Sequence, residues 1–346
     1  MASSNQNPPP LVSVSMICYN AELFIAEAIE GVLAQDTSFP LELVIGDDCS
    51  SDGTRAILEA YAAEYPGLIR LLPKGPNLGI TGNTARNFAH CRGKYIAICD
   101  GDDIWVDPFK LKKQVEFLES NPEYGLSYSD VEPVSETGAP IQDPDTMGIR
   151  KHYTDGKIFF KLLQGNFINN STVVFRRKYL ENHVVLPTRS YQIQDYVTWL
   201  HIAACGGKGH FLPTRTTKYR RHSNSLSINV PWGKKTGNRR MLRFYLYKAV
   251  ANFDRLNKQA LSTEEKTLLF RRMLSLLFRK PGTMEMKMEV LLRMPKYYPG
   301  FFNLIRLGFV KVEKGFSSFQ LFKKTAYAVA SINLFFEEFG LMASYF

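Results

Sequence analysis

The chain has 346 residues, 45% hydrophobic and 22% charged, an ordinary globular composition that excludes a disordered polymer and is long enough for a sizeable domain with an appendage. Its net charge of +10 is unevenly spread: residues 1–130 carry 9 Lys/Arg against 18 Asp/Glu, and residues 131–346 carry 34 against 15. The first ten residues, MASSNQNPPP, lack the basic and apolar regions of a signal peptide and read as a disordered leader. The most apolar late stretch, from Thr325 to Phe336, stops at Glu337 and Glu338, short of the roughly 18 residues a spanning helix needs. The five cysteines show no CxxC spacing, which fits a reducing cytoplasm better than a disulfide framework or a zinc site.

In chain order, Leu11 to Ile17 reads as a buried strand. Asn20 reads as the N-cap of a helix whose apolar face is Phe24, Ile25, Ala28, Ile29, Val32 and Leu33. Leu41 to Ile45 is a second strand, ending in GDDCSSDGT, and Ile57, Leu58 and Tyr61 mark a helix stopped at Pro66. Leu68 to Leu72 is a third strand, NLGITGNTARNFAHC turns into a helix, and Tyr95 to Cys99 is a fourth strand. Short strands alternating with helices predict an open α/β sheet, in which ligands sit beyond the carboxyl ends of the strands. Beyond Asp130 the pattern loosens. Residues 132–156 read as a long loop, followed by a helix near 156–164, a strand from Ser171 to Phe175, a helix over Tyr191–Ala204 and a strand from His210 to Tyr219. After Trp232, Leu242, Tyr245, Leu246, Ala249, Phe253 and Leu256 trace one helical face, and Ser262 with Glu265 forms a capping box. These boundaries give a leader at 1–10, an α/β domain at 11–231 and a basic helical module at 232–346 that holds 21 Lys/Arg against 8 Asp/Glu.

Two strand-end strings carry chemistry. In AICDGDDIWVDP, carboxylates crowded at the end of a buried strand repel one another and suit a hard divalent cation, Mn²⁺ or Mg²⁺. Gly101 lets the loop turn so that Asp100 and Asp102 can aim at one ion. The alternative is an Asp-rich turn ahead of the helix after Asp107-Pro108. In VIGDDCSSDGT, Asp47 and Asp48 can accept from a ribose or a base edge, whereas Asp52 suits a helix cap.

Together with VSVSMICYNAELFIAEAIEGVLAQ and NLGITGNTARN, these strings, in this order, resemble glycosyltransferase family 2, with the GT-A fold, over roughly residues 11 to 228. The resemblance implies a mixed Rossmann-like sheet flanked by helices, and inverting transfer from a nucleoside diphosphate sugar, UDP- or dTDP-linked, with a divalent cation on the diphosphate. It assigns Asp102 as the principal metal ligand, Asp100 to metal or ribose, and Tyr19, Asp47, Asp48 and Arg86 to the donor. The general base is Asp195 in YQIQDYVTWLHIA, where Gln194 replaces the family's usual preceding acid. In YRRHSNSLS, Arg220 and Arg221 would offset the leaving phosphate and His222 would reach the metal. Each has a plainer reading: an exposed helix arginine for Arg86, a helix-start aspartate for Asp195, and a solvated loop residue for His222.

The resemblance implies a glycan or lipid-linked acceptor in bacterial surface polysaccharide or lipopolysaccharide synthesis. RMPKYYPGFFNLIRLGFVKVEKG and QLFKKTAYAVASINLFF mix Lys/Arg with aromatic and aliphatic residues, which suits either a solvated face or peripheral contact with the inner face of an anionic membrane. No nucleic-acid motif is present, so nucleic acid is not an expected partner. Rival readings are a nucleotidyltransferase, whose Gly-rich Arg-containing loop is missing after strand one, and a decayed nucleotide-binding scaffold at a membrane.

Overall fold

The structure is a computed structural model. It describes residues 9–181 and 194–223, with single positions and short stretches between 249 and 269. The predicted leader up to residue 8, the 231/232 boundary, most of the helical face from Leu242 to Leu256 and both membrane-like strings lie outside the described residues. The chain separates into two units, Met1–Gln259 and Ala260–Phe346. In the second, the predicted capping box is formed: Ser262 N donates to Glu265 Oε2 at 2.8 Å and Glu265 N donates to Ser262 Oγ at 3.1 Å.

The first unit opens with strands β1 (Val12–Cys18), β2 (Leu41–Asp47), β3 (Ile69–Leu71) and β4 (Tyr95–Ile98), joined through helices α1 (Ile25–Leu33), α2 (Thr54–Glu64) and α3 (Gly79–His90). These strands pair in parallel in the order β3-β2-β1-β4. β1 and β4 are buried almost end to end because helices cover both sheet faces; β4 reads as a continuous apolar run, and β1 as an apolar run broken by the buried Ser13 and Ser15. On one face, Val12, Val14 and Met16 join Ile25, Ala28, Ile29 and Val32 of α1 in a single core cluster. On the other, α3 uses amides: Asn83 Nδ2 donates to Gly46 O at 2.6 Å and Asn87 Nδ2 to Met16 O at 2.7 Å.

The second half adds β5 (Ile104–Trp105), α4 (Lys110–Ser120), β6 (Tyr124–Val134), α5 (Pro144–Arg150), α6 (Phe159–Leu162), a 3-10 turn at Asn170–Thr172, β7 (Val174–Arg176), α7 (Gln194–Ala204) and β8 (Lys208–Arg220). The sheet continues from β4 through β7, β6 and β8 to β5. β7 is antiparallel to β4 and β6, and β6 runs parallel to β8 with register shifts, so the sheet is mixed, as expected for the fold class.

Two local expectations change. Residues 132–156 are not one long loop: β6 runs on to Val134, and α5 starts where Asp143 Oδ2 accepts from Thr146 N at 3.0 Å, with Pro144 in the first turn. Asn20 is not the cap of α1, which begins at Ile25 with no side-chain cap; Asn20 takes φ of 50° and its Oδ1 accepts from Ser51 N at 2.9 Å, tying the loops after β1 and β2 together. Asp52 does act at the start of α2, accepting from Thr54 N at 3.0 Å.

Candidate active site

Beyond the carboxyl ends of β1 and β4 lies a cleft of about 1000 Å³. The described residues lining it include Tyr19, Asp48, Asp100, Asp102, Asp195, Arg220, Arg221 and His222, so eight of the ten residues picked from sequence meet in one space. Asp47 and Arg86 are not among the lining residues.

The loop after β4 brings the acidic string to the cleft. Gly101 is needed there, because an added Cβ would sit 2.8 Å from Cys18 Cβ and 2.9 Å from Ile25 Cδ1. Asp100 is held by Asn170 Nδ2, which reaches its two oxygens at 3.1 and 2.9 Å. Burial, and then the charge of Asp102, push the Asp100 carboxyl up to about 7, with Asn170 opposing. Asp103 is buried, and burial with the neighbouring Asp102 and Asp100 raises its carboxyl well above the usual range. Asp102 is more open, and its Oδ2 lies 3.0 Å from His222 Nε2. The His222 ring packs on Phe24 with centroids 4.8 Å apart. Crowded carboxylates beside an imidazole form a hard oxygen and nitrogen donor set.

Arg220 faces inward. Its guanidinium donates to Asp102 O at 3.1 Å, to Glu136 O and to Glu27, while its main-chain N donates to Asp103 Oδ1 at 3.0 Å. It therefore locks the acidic loop from β8. Arg221 pairs with Asp143 at 3.3 Å and Asp145 at 3.4 Å, ahead of and within α5.

Across the cleft, Asp195 stands in the first turn of α7, with Asn166 Nδ2 2.9 Å from its Oδ2. Burial raises its carboxyl, against the main-chain N–H of Tyr196 and the amide of Asn166. Trp199, one turn on, is fully buried and packs edge-on to Phe175 at 5.8 Å. Asp48 is buried with its oxygens taking Leu78 N at 2.7 Å and Gly79 N at 2.9 Å, so it also fixes the start of α3. Asp47 Oδ1 accepts from Ser50 N at 3.1 Å and Ser50 Oγ at 2.6 Å, shaping the turn after β2. The Arg86 guanidinium donates to Pro73 O in the loop before α3. Tyr19, 54% exposed, stands at the cleft as a flat open ring.

Sequence reasoning passed over Asn166, Asn169 and Asn170, which line the cleft between α6 and β7. The available signal was the string NFINNST, three amides around one apolar pair at the edge of a predicted strand.

A profile of Glycosyl transferase family 2 matches residues 13–184. An uncharacterized Mycobacterium tuberculosis protein is 36% identical over 215 residues, which is 62% of this chain and 60% of that protein's length. EpsE of Bacillus subtilis, named as a glycosyltransferase, is 30% identical over 63% of this chain and 76% of its own length. TuaG of the same organism, named as a teichuronic acid biosynthesis glycosyltransferase, is 30% identical over 64% of this chain and 84% of its own. Among solved structures, S. aureus TarS residues 1–349 with UDP-GlcNAc superposes with a TM-score of 0.57 at 16% identity, over 86% of this chain and 82% of that one. The Pyrobaculum calidifontis mannosyltransferase with GDP-Man and Mn²⁺ gives 0.52 at 19% identity, over 94% and 86%. The mixed sheet with flanking helices is thus shared with glycosyltransferases, and the family profile spans the acidic loops after β2 and β4. The chain belongs to glycosyl transferase family 2.

Proposed function

We propose that this family member is an inverting, divalent-cation-dependent glycosyltransferase that moves a sugar from a UDP- or dTDP-linked donor to a hydroxyl of a glycan or lipid-linked acceptor in bacterial surface polysaccharide synthesis. The observation that carries the reading is one cleft with Asp100, Asp102 and His222 on one wall and Asp195 on another. The nucleotide sugars bound by the fold relatives TarS and the Pyrobaculum mannosyltransferase support a donor of that class.

The residues fit a cation. Among the described residues no group of three His, Cys, Asp or Glu side chains is arranged to hold a metal alone. Asp102 and His222 are the pair that would hold a Mn²⁺ or Mg²⁺ ion, as oxygen and nitrogen donors. Such an ion supplies charge for the leaving diphosphate. The chain's own part is to hold Asp102 through Arg220, to set Arg221, itself paired with Asp143 and Asp145, near the leaving group, and to seat the nucleoside by Tyr19 and Asp48. Arg86 contributes by fixing the loop before α3, and Asp47 by shaping the turn beside Asp48. Asp195 takes the proton of the acceptor hydroxyl as its oxygen attacks the anomeric carbon and the bond to the diphosphate breaks, giving inversion in one displacement. A carboxyl raised by burial is a better base than a solvated one. Residues 232–346, with 21 Lys/Arg against 8 Asp/Glu, serve in this reading as a contact with an anionic membrane surface, where lipid-linked acceptors reside.

The test is a panel of UDP-, dTDP- and GDP-sugars with Mn²⁺, Mg²⁺ or EDTA, following nucleotide release and, by NMR, the anomer formed. Metal-dependent release from a UDP- or dTDP-sugar with inverted product is the expected result. Nucleotide binding without any turnover would favour the scaffold reading, and a retained anomer would remove the single-displacement mechanism.

A further inference from the structure

The segment between α6 and β7 sends amides to two carboxylates carried by different elements. Asn166 Nδ2 donates to Asp195 Oδ2 at 2.9 Å, and Asn170 Nδ2 donates to both oxygens of Asp100. The orientation of the Asn166 amide is fixed by its other end, because its Oδ1 accepts from Ile168 N at 3.2 Å and only the NH₂ is left to face the carboxylate. The segment itself is anchored. Phe167 and Ile168 are each 2% exposed, and Asn169 Oδ1 accepts from Ser171 N at 3.2 Å, opening the 3-10 turn that carries Asn170.

An amide does something here that Lys or Arg would not. It fixes a carboxylate by a charge-assisted hydrogen bond without bringing a full counter-charge, so Asp100 is not already paired with a protein cation and Asp195 is not made a weaker base by one. With Oδ2 tied to Asn166, Asp195 Oδ1 is the oxygen that has no side-chain partner among the described residues. A base delivering one defined oxygen to an incoming hydroxyl loses less in orientation than one free to rotate.

We propose that Asn166 is a positioning residue for the transfer: it holds Asp195 Oδ2 so that Oδ1 takes the acceptor proton, while Asn170, on the same rigid segment, sets the spacing between that base and Asp100. The proposal rests on the reading of Asp195 as the base. Among the described residues, the charge of Asp195 acts on Asp100, and the contacts on the Asp195 carboxylate are main-chain N–H groups at the start of α7 and Asn166 itself.

The test uses the full chain, Asn166→Ala and Asn166→Asp, with Asp195→Asn as reference and the panel's fastest UDP-sugar as probe. Loss of one hydrogen bond to a charged group predicts that kcat falls about tenfold or more in Asn166→Ala while donor KM stays within about twofold. The acid limb of kcat should move up by about one pH unit, because the carboxylate loses a donor that favours its ionised form. Asn166→Asp, equal in size but without the N–H and bearing its own acid, should move the limb further. Isotope-edited infrared titration of the Asp195 carboxyl, assigned by its absence in Asp195→Asn, reads the same shift with no turnover required. An unmoved acid limb and an unmoved Asp195 titration in both variants would overturn the proposal, even if kcat drops from general loosening. Wild-type-like turnover in Asp195→Asn would instead overturn the base reading, so the two failures are distinct.

Discussion

Lys110 lies fully buried behind the acidic loop, its ammonium 4.3 Å from the Trp105 ring centroid and 2.8 Å from Gln114 Oε1. Burial lowers its pKa from 10.5 to about 7, because one amide and one indole face replace its water shell only in part. Between those two pH values the unfolded chain carries a proton that the folded chain has shed, so this residue's contribution makes stability rise with pH from about 7 upward. Below that window its cost is present in full. Lys110→Met should remove the dependence: denaturant unfolding at pH 7, 8 and 9 is expected to show wild type gaining on the variant as pH rises. Parallel curves would mean that the ammonium stays charged in the fold. The buried Lys110 also shows how the site is backed. Gln114, which accepts from it, donates to Thr172 O at 3.0 Å, and the Trp105 indole donates to Ser171 O at 2.7 Å, so the turn presenting Asn170 is braced from below.

Elements meet the site through close backbone approaches. Gly31 of α1 is where β5 crosses, and a Cβ there would lie 2.8 Å from Trp105 O and 2.9 Å from Trp105 N. Main chain cannot yield as a side-chain tip can, so Gly31→Ala should cost about 1–3 kcal/mol. Gly67→Ala, whose added Cβ meets nothing within 4 Å, is the matched control, and denaturant midpoints compare the two. Equal midpoints would show that α1 and β5 separate without cost. The elements up to Ile98 were legible in sequence because each strand is a short apolar-rich run closed by turn residues and α1 and α2 carry apolar faces, whereas α3 showed only its turn and its Phe88. β6 was not. Ser127 and Ser129 occupy buried strand positions where apolar residues would signal a strand, and they are satisfied by Gln114 and Thr216 from distant parts of the chain. α5 was hidden by a Pro- and Gly-bearing composition that nonetheless carries its own cap. At the site, the carboxylates and the cations could be read as residue types, whereas their partners could not. Arg220 reads as a phosphate cation until Glu27, distant in sequence, is seen to bind it, and Asn166 has no signature without the approach of Asp195.

On the scale of the whole molecule, the acidic front half finds its meaning in the cleft. Asp48, Asp100, Asp102, Asp103, Asp143, Asp145 and Asp195 line it, against Arg220, Arg221 and His222. Both arginines are committed: Arg220 to the acidic loop and Arg221 to the carboxylates of Asp143 and Asp145. In the proposed reading, a divalent cation entering with the donor would offset the charge that its diphosphate shares with this acidic lining. None of the described helices is long and apolar enough to cross a membrane. The basic excess of residues 232–346 lies away in sequence from this acidic lining; the proposed reading gives it to contact with a charged surface. Nucleotide binding in the proposed reading therefore depends on a cation held by Asp102. Calorimetry of UDP with the full chain tests it directly, with Mn²⁺, with EDTA, and in Asp102→Ala. The account predicts binding with Mn²⁺ that is lost in EDTA and weakened about tenfold or more in the variant; equal UDP affinity in all three conditions would contradict it.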